Sequence, residues 1–308
     1  MSWLPAIFLR STFNPDAGIA LFCLTLNTKS PAMKNLILLL FLYGTLSAQT
    51  PSCCSAPMTE QNRMLAMNSD FLKSHLPPTP FFLQNSQGNM VSFKTPDGKT
   101  GRAYYVKSDQ PTDNVLFVFQ EWWGVNDYIK QVADKYKEEL GNVNICAIDL
   151  YDGKIATTPE EAQKYMSELK DDRANAIIQG AIEYVGSKAK IATIGWCMGG
   201  GWSLQAALIA GNKTVGCVVY YGMPEKNIER LKTLNSDVIG FFGTQDKFIN
   251  PEVVKAFEKD MNKAGKKLTV HNYDAVHAFA NPSNPRFNKE YAEDAHAKAL
   301  AYLKAKFK

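Results

Sequence analysis

Histidine is scarce in this chain, with four among 308 residues. Any chemistry that needs an imidazole must therefore use His75, His271, His277 or His296. Neither sign of charge dominates. The formal net charge is +4, and the first 48 residues hold Arg10, Lys29 and Lys34 against Asp16 alone. The remainder is thus close to neutral, and no nucleic-acid partner is expected. Long apolar runs are missing too: Leu36–Tyr43 falls well short of the ~20 residues that cross a bilayer, so no integral membrane span is expected in the mature chain. No internal repeat or low-complexity tract appears. What remains, 45% hydrophobic and 21% charged, is the composition of a globular chain able to bury a sizeable core.

The N-terminus reads as targeting rather than fold. Met33, Lys34 and Asn35 open a short charged region, Leu36–Tyr43 is apolar, and Leu46-Ser47-Ala48 offers small residues for cleavage, which is the layout of an export signal. Residues 1–48 are therefore expected to be a leader. Met33 is then the true start, or else an unusually long leader includes the apolar patch Ala17–Leu26. Export to the periplasm or beyond follows. Six cysteines occur, at 23, 53, 54, 146, 197 and 217. Five remain after the leader, an odd number that does not suggest a disulfide framework. Lipid anchoring at Cys53 is disfavoured, because Thr50-Pro51-Ser52 lacks the apolar residue expected three positions upstream. Cys146 and Cys217 lie inside apolar runs and are expected to be buried and inert.

Residues 49–85 are polar, with Pro77, Pro78 and Pro80, and read as an extended connector after a short helix, with no chemistry of their own. From 86 to 308 the sequence alternates apolar strand-like runs with amphipathic helical segments. It reads as one α/β domain, a mostly parallel twisted sheet with helices on both faces. Met90–Val106, turning at Pro96-Asp97-Gly98, is expected as an antiparallel hairpin at the sheet edge.

The most informative stretch is Ile191–Trp202, IATIGWCMGGGW. A buried strand is followed by Gly195-x-Cys197-x-Gly199, the strand–turn–helix layout of a nucleophile elbow with a thiol in place of a hydroxyl. A helix starting there would aim backbone N–H groups at the sulfur. The thiol needs a base, and the base an orienting carboxylate. His277 follows a strand end and is the favoured base. Asp246 closes VIGFFGTQD between nucleophile and histidine, the chain order of an α/β-hydrolase. Asp149 ends another strand but precedes Cys197, and is better read as capping its own turn. Glu121 follows the apolar strand LFVFQ at the same sheet edge. The Trp122 and Met198 N–H groups are then candidate oxyanion donors. Trp122, Trp123, Trp202, Tyr220 and Tyr221 are candidate apolar walls, although core packing is the common fate of any one aromatic.

Gln120-Glu121-x-x-Gly124-Val125-Asn126, Asp149-Leu150-Tyr151, Gly195-Trp196-Cys197-Met198-Gly199-Gly200, Tyr220-Tyr221-Gly222, Gly243-x-x-Asp246-x-Phe248 and His277-x-Phe279 together resemble the dienelactone hydrolase, or carboxymethylenebutenolidase, family over about Val91–Phe307. The resemblance implies an α/β-hydrolase fold and a Cys197–His277–Asp246 triad. It also implies a Glu121 that partners the resting thiol or its proton, and an oxyanion hole from Trp122 and Met198. Trp123, Tyr220, Tyr221, Phe279 and Asn281 would line the substrate site. Family members hold a substrate carboxylate with two arginines. One of those positions is Asn281 here, and the other, within Thr157–Lys164, has no arginine.

The expected activity is a thiol-dependent hydrolysis of lactones or small activated esters through an acyl-enzyme, with no metal and no cofactor. The competing reading is an exported ligand-binding or thiol-sensing protein that keeps the fold without catalysis. A small-molecule ester or lactone is the expected partner. Oligomeric state is open, and a monomer is compatible with everything above.

Overall fold

The computed structural model describes residues 56–308 and, ahead of them, two short strands. These strands, β1 (Arg10–Phe13) and β2 (Ala20–Cys23), pair antiparallel with each other. They belong to a unit separate from the main body. The export signal expected over Met33–Ala48 and the Cys53-Cys54 pair lie outside the described residues.

The body is built on an eight-stranded sheet. In chain order its strands are β3 (Asn89–Lys94), β4 (Thr100–Val106), β5 (Asn114–Phe119), β6 (Asn144–Asp149), β7 (Lys190–Trp196), β8 (Thr214–Tyr220), β9 (Val238–Gly243) and β10 (Leu268–Tyr273). Their order across the sheet is β10-β9-β8-β7-β5-β6-β4-β3. The six strands from β5 to β10 run parallel. β3 and β4 form the antiparallel edge hairpin that the Pro-Asp-Gly turn calls for. The central strands are buried along almost their whole length, because helices cover both faces and leave no solvent side to reward alternation.

The helices are α1 (Met58–Ala66), α2 (Ser69–Ser74), α3 (Asp127–Leu140), α4 (Pro159–Glu168), α5 (Asp171–Tyr184), α6 (Met198–Ala210), α7 (Ile228–Lys232), α8 (Pro251–Lys263) and α9 (Lys289–Lys306). Side-chain caps start many of them. Asn126, Thr158, Asn250 and Asn288 each accept from a backbone N–H in the first turn, which satisfies donors that the helix itself cannot. α6 is buried all round except at Ile209, as a helix of that composition must be. α3 and α9 pack together on one face, and α5 and α6 on the other. Among the described residues no helix is long and apolar enough to cross a membrane.

The segment read as a connector is partly folded. α1 packs against α4, Thr59 donates to Asp171 Oδ2 at 2.5 Å, and Gln163 Nε2 donates to the Ala66 carbonyl at 2.8 Å. Phe71 and Ala66 are fully buried. Pro77, Pro78 and Pro80 follow α2, and the helical part ahead of them is two short helices instead of one.

Candidate active site

The strand β7 hands over to α6 through a single residue. Cys197 sits at φ 55°, ψ −119° and is the N-cap of α6, a backbone region costly for a residue with a Cβ. Its N–H donates to the Tyr220 carbonyl on β8 at 3.0 Å, which fastens the turn to the sheet. The flanking glycines are required sterically. A Cβ at Gly195 would lie 2.0 Å from the Gly199 carbonyl oxygen, and one at Gly199 would lie 2.2 Å from the Gln120 carbonyl oxygen. Two other non-glycine residues with positive φ, Tyr221 (36°) and Ala278 (61°), flank the same site, so its backbone strain is concentrated there.

His277 follows β10, and Asp246 follows the neighbouring β9. The parallel pairing of those strands brings both to one sheet edge. His277 Nδ1 lies 2.6 Å from Asp246 Oδ2, and His277 Nε2 lies 3.2 Å from Cys197 Sγ. Asp246 Oδ1 accepts from the Phe248 and Ile249 N–H groups at 2.7 and 3.0 Å, so the carboxylate cannot rotate away. Burial would raise the Asp246 carboxyl, but the His277 charge and the hydrogen bonds hold it below its ordinary value. Burial also works against an imidazolium at His277, yet the Asp246 and Cys197 charges and bonds push it well above the usual histidine range. For Cys197, burial pushes the thiol up, while His277 and the Met198 N–H, which donates toward the sulfur, pull it back.

Glu121 is buried beside this chain of bonds. Tyr221 Oη donates to its Oε1 at 3.3 Å, and Asn281 Nδ2 donates to its Oε2. Burial raises its carboxyl to about 7, with His277, Tyr221 and Asn281 opposing the rise. The structure thus gives Asn281 a definite partner in Glu121. Its Oδ1 is also occupied, accepting from Ser283 N and Oγ at 2.8 and 2.7 Å. Glu121, Trp123 and Asn281 line a cleft with Trp196 and Ala280. Cys197 is not part of that lining and is only 3% exposed.

The remaining expected residues divide. Tyr221 packs edge-on to His277 at 5.1 Å, and Phe279 backs Tyr221 at 5.5 Å. Tyr220 goes elsewhere: its ring lies against Trp196 and Phe241, because adjacent residues leaving a strand point to opposite sides. Its contribution to the site is its carbonyl. Trp122 is fully buried against Phe71 and His75. Asp149 caps its own turn, accepting from Tyr151 N and Gly153 N at 2.9 and 2.6 Å. Cys146 and Cys217 are buried, with thiols that burial pushes up to about 12 and about 11. His271 stacks on Phe241, and His296 pairs with Glu139 at 2.6 Å.

One residue of the site was missed in the sequence. His75, at the C-terminal end of α2, is 3% exposed and lies with its ring 5.5 Å from that of His277 and 4.8 Å from Trp122. Phe71, one helical turn earlier, packs on Trp122, Phe248 and His277. The Phe71–His75 spacing of four and the Asn68 cap were the available signals. Neither indicates which partner the pair meets.

Residues 102–307 match the dienelactone hydrolase family. Among similar curated proteins, the protein usf of Aquifex pyrophilus is 29% identical over 232 residues, covering 70% of this chain and 98% of its own. The carboxymethylenebutenolidase of Pseudomonas sp. (strain P51) is 31% identical over 208 residues, covering 62% of this chain and 84% of its own. A solved structure of a putative dienelactone hydrolase from Klebsiella pneumoniae superposes with a TM-score of 0.60 at 20% identity, covering 70% of this chain and 98% of its own. α1 and α2, with His75, precede the matched residues.

Proposed function

We propose, because this chain belongs to the dienelactone hydrolase family, that its ester chemistry is carried out by Cys197 as nucleophile, His277 as base and Asp246 as orienting acid. Membership and the carboxymethylenebutenolidase relatives make it a hydrolase acting on esters. The observation that supports the finer reading is the unbroken run Asp246 Oδ2–His277 Nδ1, 2.6 Å, and His277 Nε2–Cys197 Sγ, 3.2 Å, anchored at a strained elbow.

The thiol proton passes to His277 Nε2 as sulfur attacks the carbonyl carbon, and the new C–S bond makes a tetrahedral oxyanion. The Met198 and Trp122 N–H groups stabilise that charge as it develops. The C–O bond then breaks, and His277 returns the proton to the leaving alkoxide, which in a lactone stays tethered to the acyl group. Water, losing a proton to His277, attacks the thioester, and the C–S bond breaks with the proton returned to sulfur. Glu121, with its carboxyl raised to about 7, accepts or releases a proton beside His277 as the charge moves.

The substrate class follows from what surrounds Glu121. Asn281 is engaged with that carboxylate, and Lys154 and Lys164 both pair with Glu168. Neither the family's arginine clamp nor a replacement from these lysines is presented, so neutral lactones and esters are the proposed substrates. The test is kcat/KM for a neutral lactone against an anionic one of similar size. A neutral preference of roughly tenfold or more is expected, and a clear preference for the anion overturns this substrate class. Loss of p-nitrophenyl acetate hydrolysis on alkylation with iodoacetamide tests the nucleophile separately. Export with cleavage after Ala48 is proposed from the sequence alone, and the intact mass of protein recovered from the cell envelope checks it.

A further inference from the structure

The cap that the N-terminal segment places over the triad brings a third soft-metal ligand to it. His75 Nδ1 lies 2.7 Å from the Phe71 carbonyl. A carbonyl can only accept, so Nδ1 carries the proton and Nε2 is left as a bare lone pair. That Nε2 is buried and has no hydrogen-bond partner among the described residues. His75, Cys197 and His277 each offer one ligand atom, and the three atoms lie within 4.8 Å of one another.

We propose that Cys197 Sγ, His277 Nε2 and His75 Nε2 form a binding site for a thiophilic divalent cation of the zinc type, and that its occupancy switches the hydrolase off. The outer contacts are those a metal site needs. Asp246 orients His277 through Nδ1, and the Phe71 carbonyl orients His75 through its Nδ1. Each leaves the other ring nitrogen facing the centre. One thiolate and two imidazoles leave a fourth position open in a tetrahedral site. Such a site places its ligands about 3.3–3.6 Å apart, so a separation of 4.8 Å must close by roughly 1.2–1.5 Å on binding. On binding, the proton held between Sγ and Nε2 leaves to solvent, and the sulfur lone pair and the base are both consumed by the metal. Inhibition follows directly from the proposed catalytic roles and rests on them; metal binding does not.

The full mature chain is titrated with Co2+ alone and with Zn2+ alone. Co2+ is expected to bind one per chain with a thiolate-to-cobalt charge-transfer band, which alkylation of Cys197 with iodoacetamide abolishes. X-ray absorption of the zinc-loaded protein is expected to show one sulfur and two imidazoles. His75→Gln should weaken Zn2+ binding by at least about tenfold, and should weaken Zn2+ inhibition of ester hydrolysis in parallel. The absence of a charge-transfer band, a single imidazole in the absorption spectrum, or equal Zn2+ affinity in His75→Gln would overturn the site. The absorption measurement uses the unmutated chain and so decides even if His75→Gln fails to fold. An active enzyme with a metal-free spectrum sinks only this inference, and an inactive protein with the expected band sinks only the catalytic reading.

Discussion

Two regions meet at Cys197 and were built on different principles. The elbow from β7 into α6 is local. Its strand, its turn and its helix are consecutive, and Gly195 and Gly199 are dictated by carbonyls that a Cβ would strike. The cap formed by α1 and α2 is remote in sequence. It reaches the site through packing of Phe71 on Trp122, Phe248 and His277 and through anchors on α4 and α5. A glycine-flanked thiol at a strand–helix elbow can thus be recognised from a dozen residues. What closes over it belongs to a segment outside the matched family region.

The largest effect expected is at the elbow's centre. Cys197→Ala should lower kcat/KM for an activated ester by at least ~10³-fold, and Cys197→Ser should be strongly impaired because a hydroxyl ionises far less readily. Denaturant melts should change little in both. Wild-type turnover by the alanine variant would remove the thiol from the mechanism. Next is the elbow's frame. Gly199→Ala sets a Cβ against the Gln120 carbonyl, a clash between backbones that no rotamer relieves. About 4 kcal/mol or more of stability should be lost, read as the denaturation midpoint, and a neutral result would mean the turn is looser than its geometry.

The cap should respond differently. Phe71→Ala removes a fully buried ring and should cost about 3–4 kcal/mol. It should also raise the rate at which iodoacetamide labels Cys197. An unchanged labelling rate would show that α2 does not control access. The smallest effect is electrostatic. The folded Glu121 carboxyl keeps its proton up to about 7, against an ordinary value of 4.5, so the folded state binds more protons between those values and stability falls as pH rises through that window. The loss by neutral pH is roughly 2–3 kcal/mol. Glu121→Gln should flatten this slope, measured by melts at pH 5 and pH 7; an equal slope in both proteins would place the pH dependence elsewhere.

Much of the fold was legible in the sequence because its signals are short-range. The apolar runs became β5 to β10, and the Pro96-Asp97-Gly98 turn joined β3 to β4. The connector was not legible, since Phe71 and His75 are ordinary residues of a six-residue helix until they have something to pack on. Tyr220 and Tyr221 show the same limit at finer grain: adjacent in the chain, one entered the core and the other the site.

The sequence by itself determined the α/β alternation, the glycine-flanked thiol and the chain order of nucleophile, acid and histidine. Each of these is set by backbone sterics, by periodicity or by order along the chain. Only the tertiary structure decided that Asn281 faces Glu121 and that His75 shares the site with Cys197. These are distances between segments far apart in sequence, and they exist only once burial of the apolar faces has brought the strand ends and the cap together.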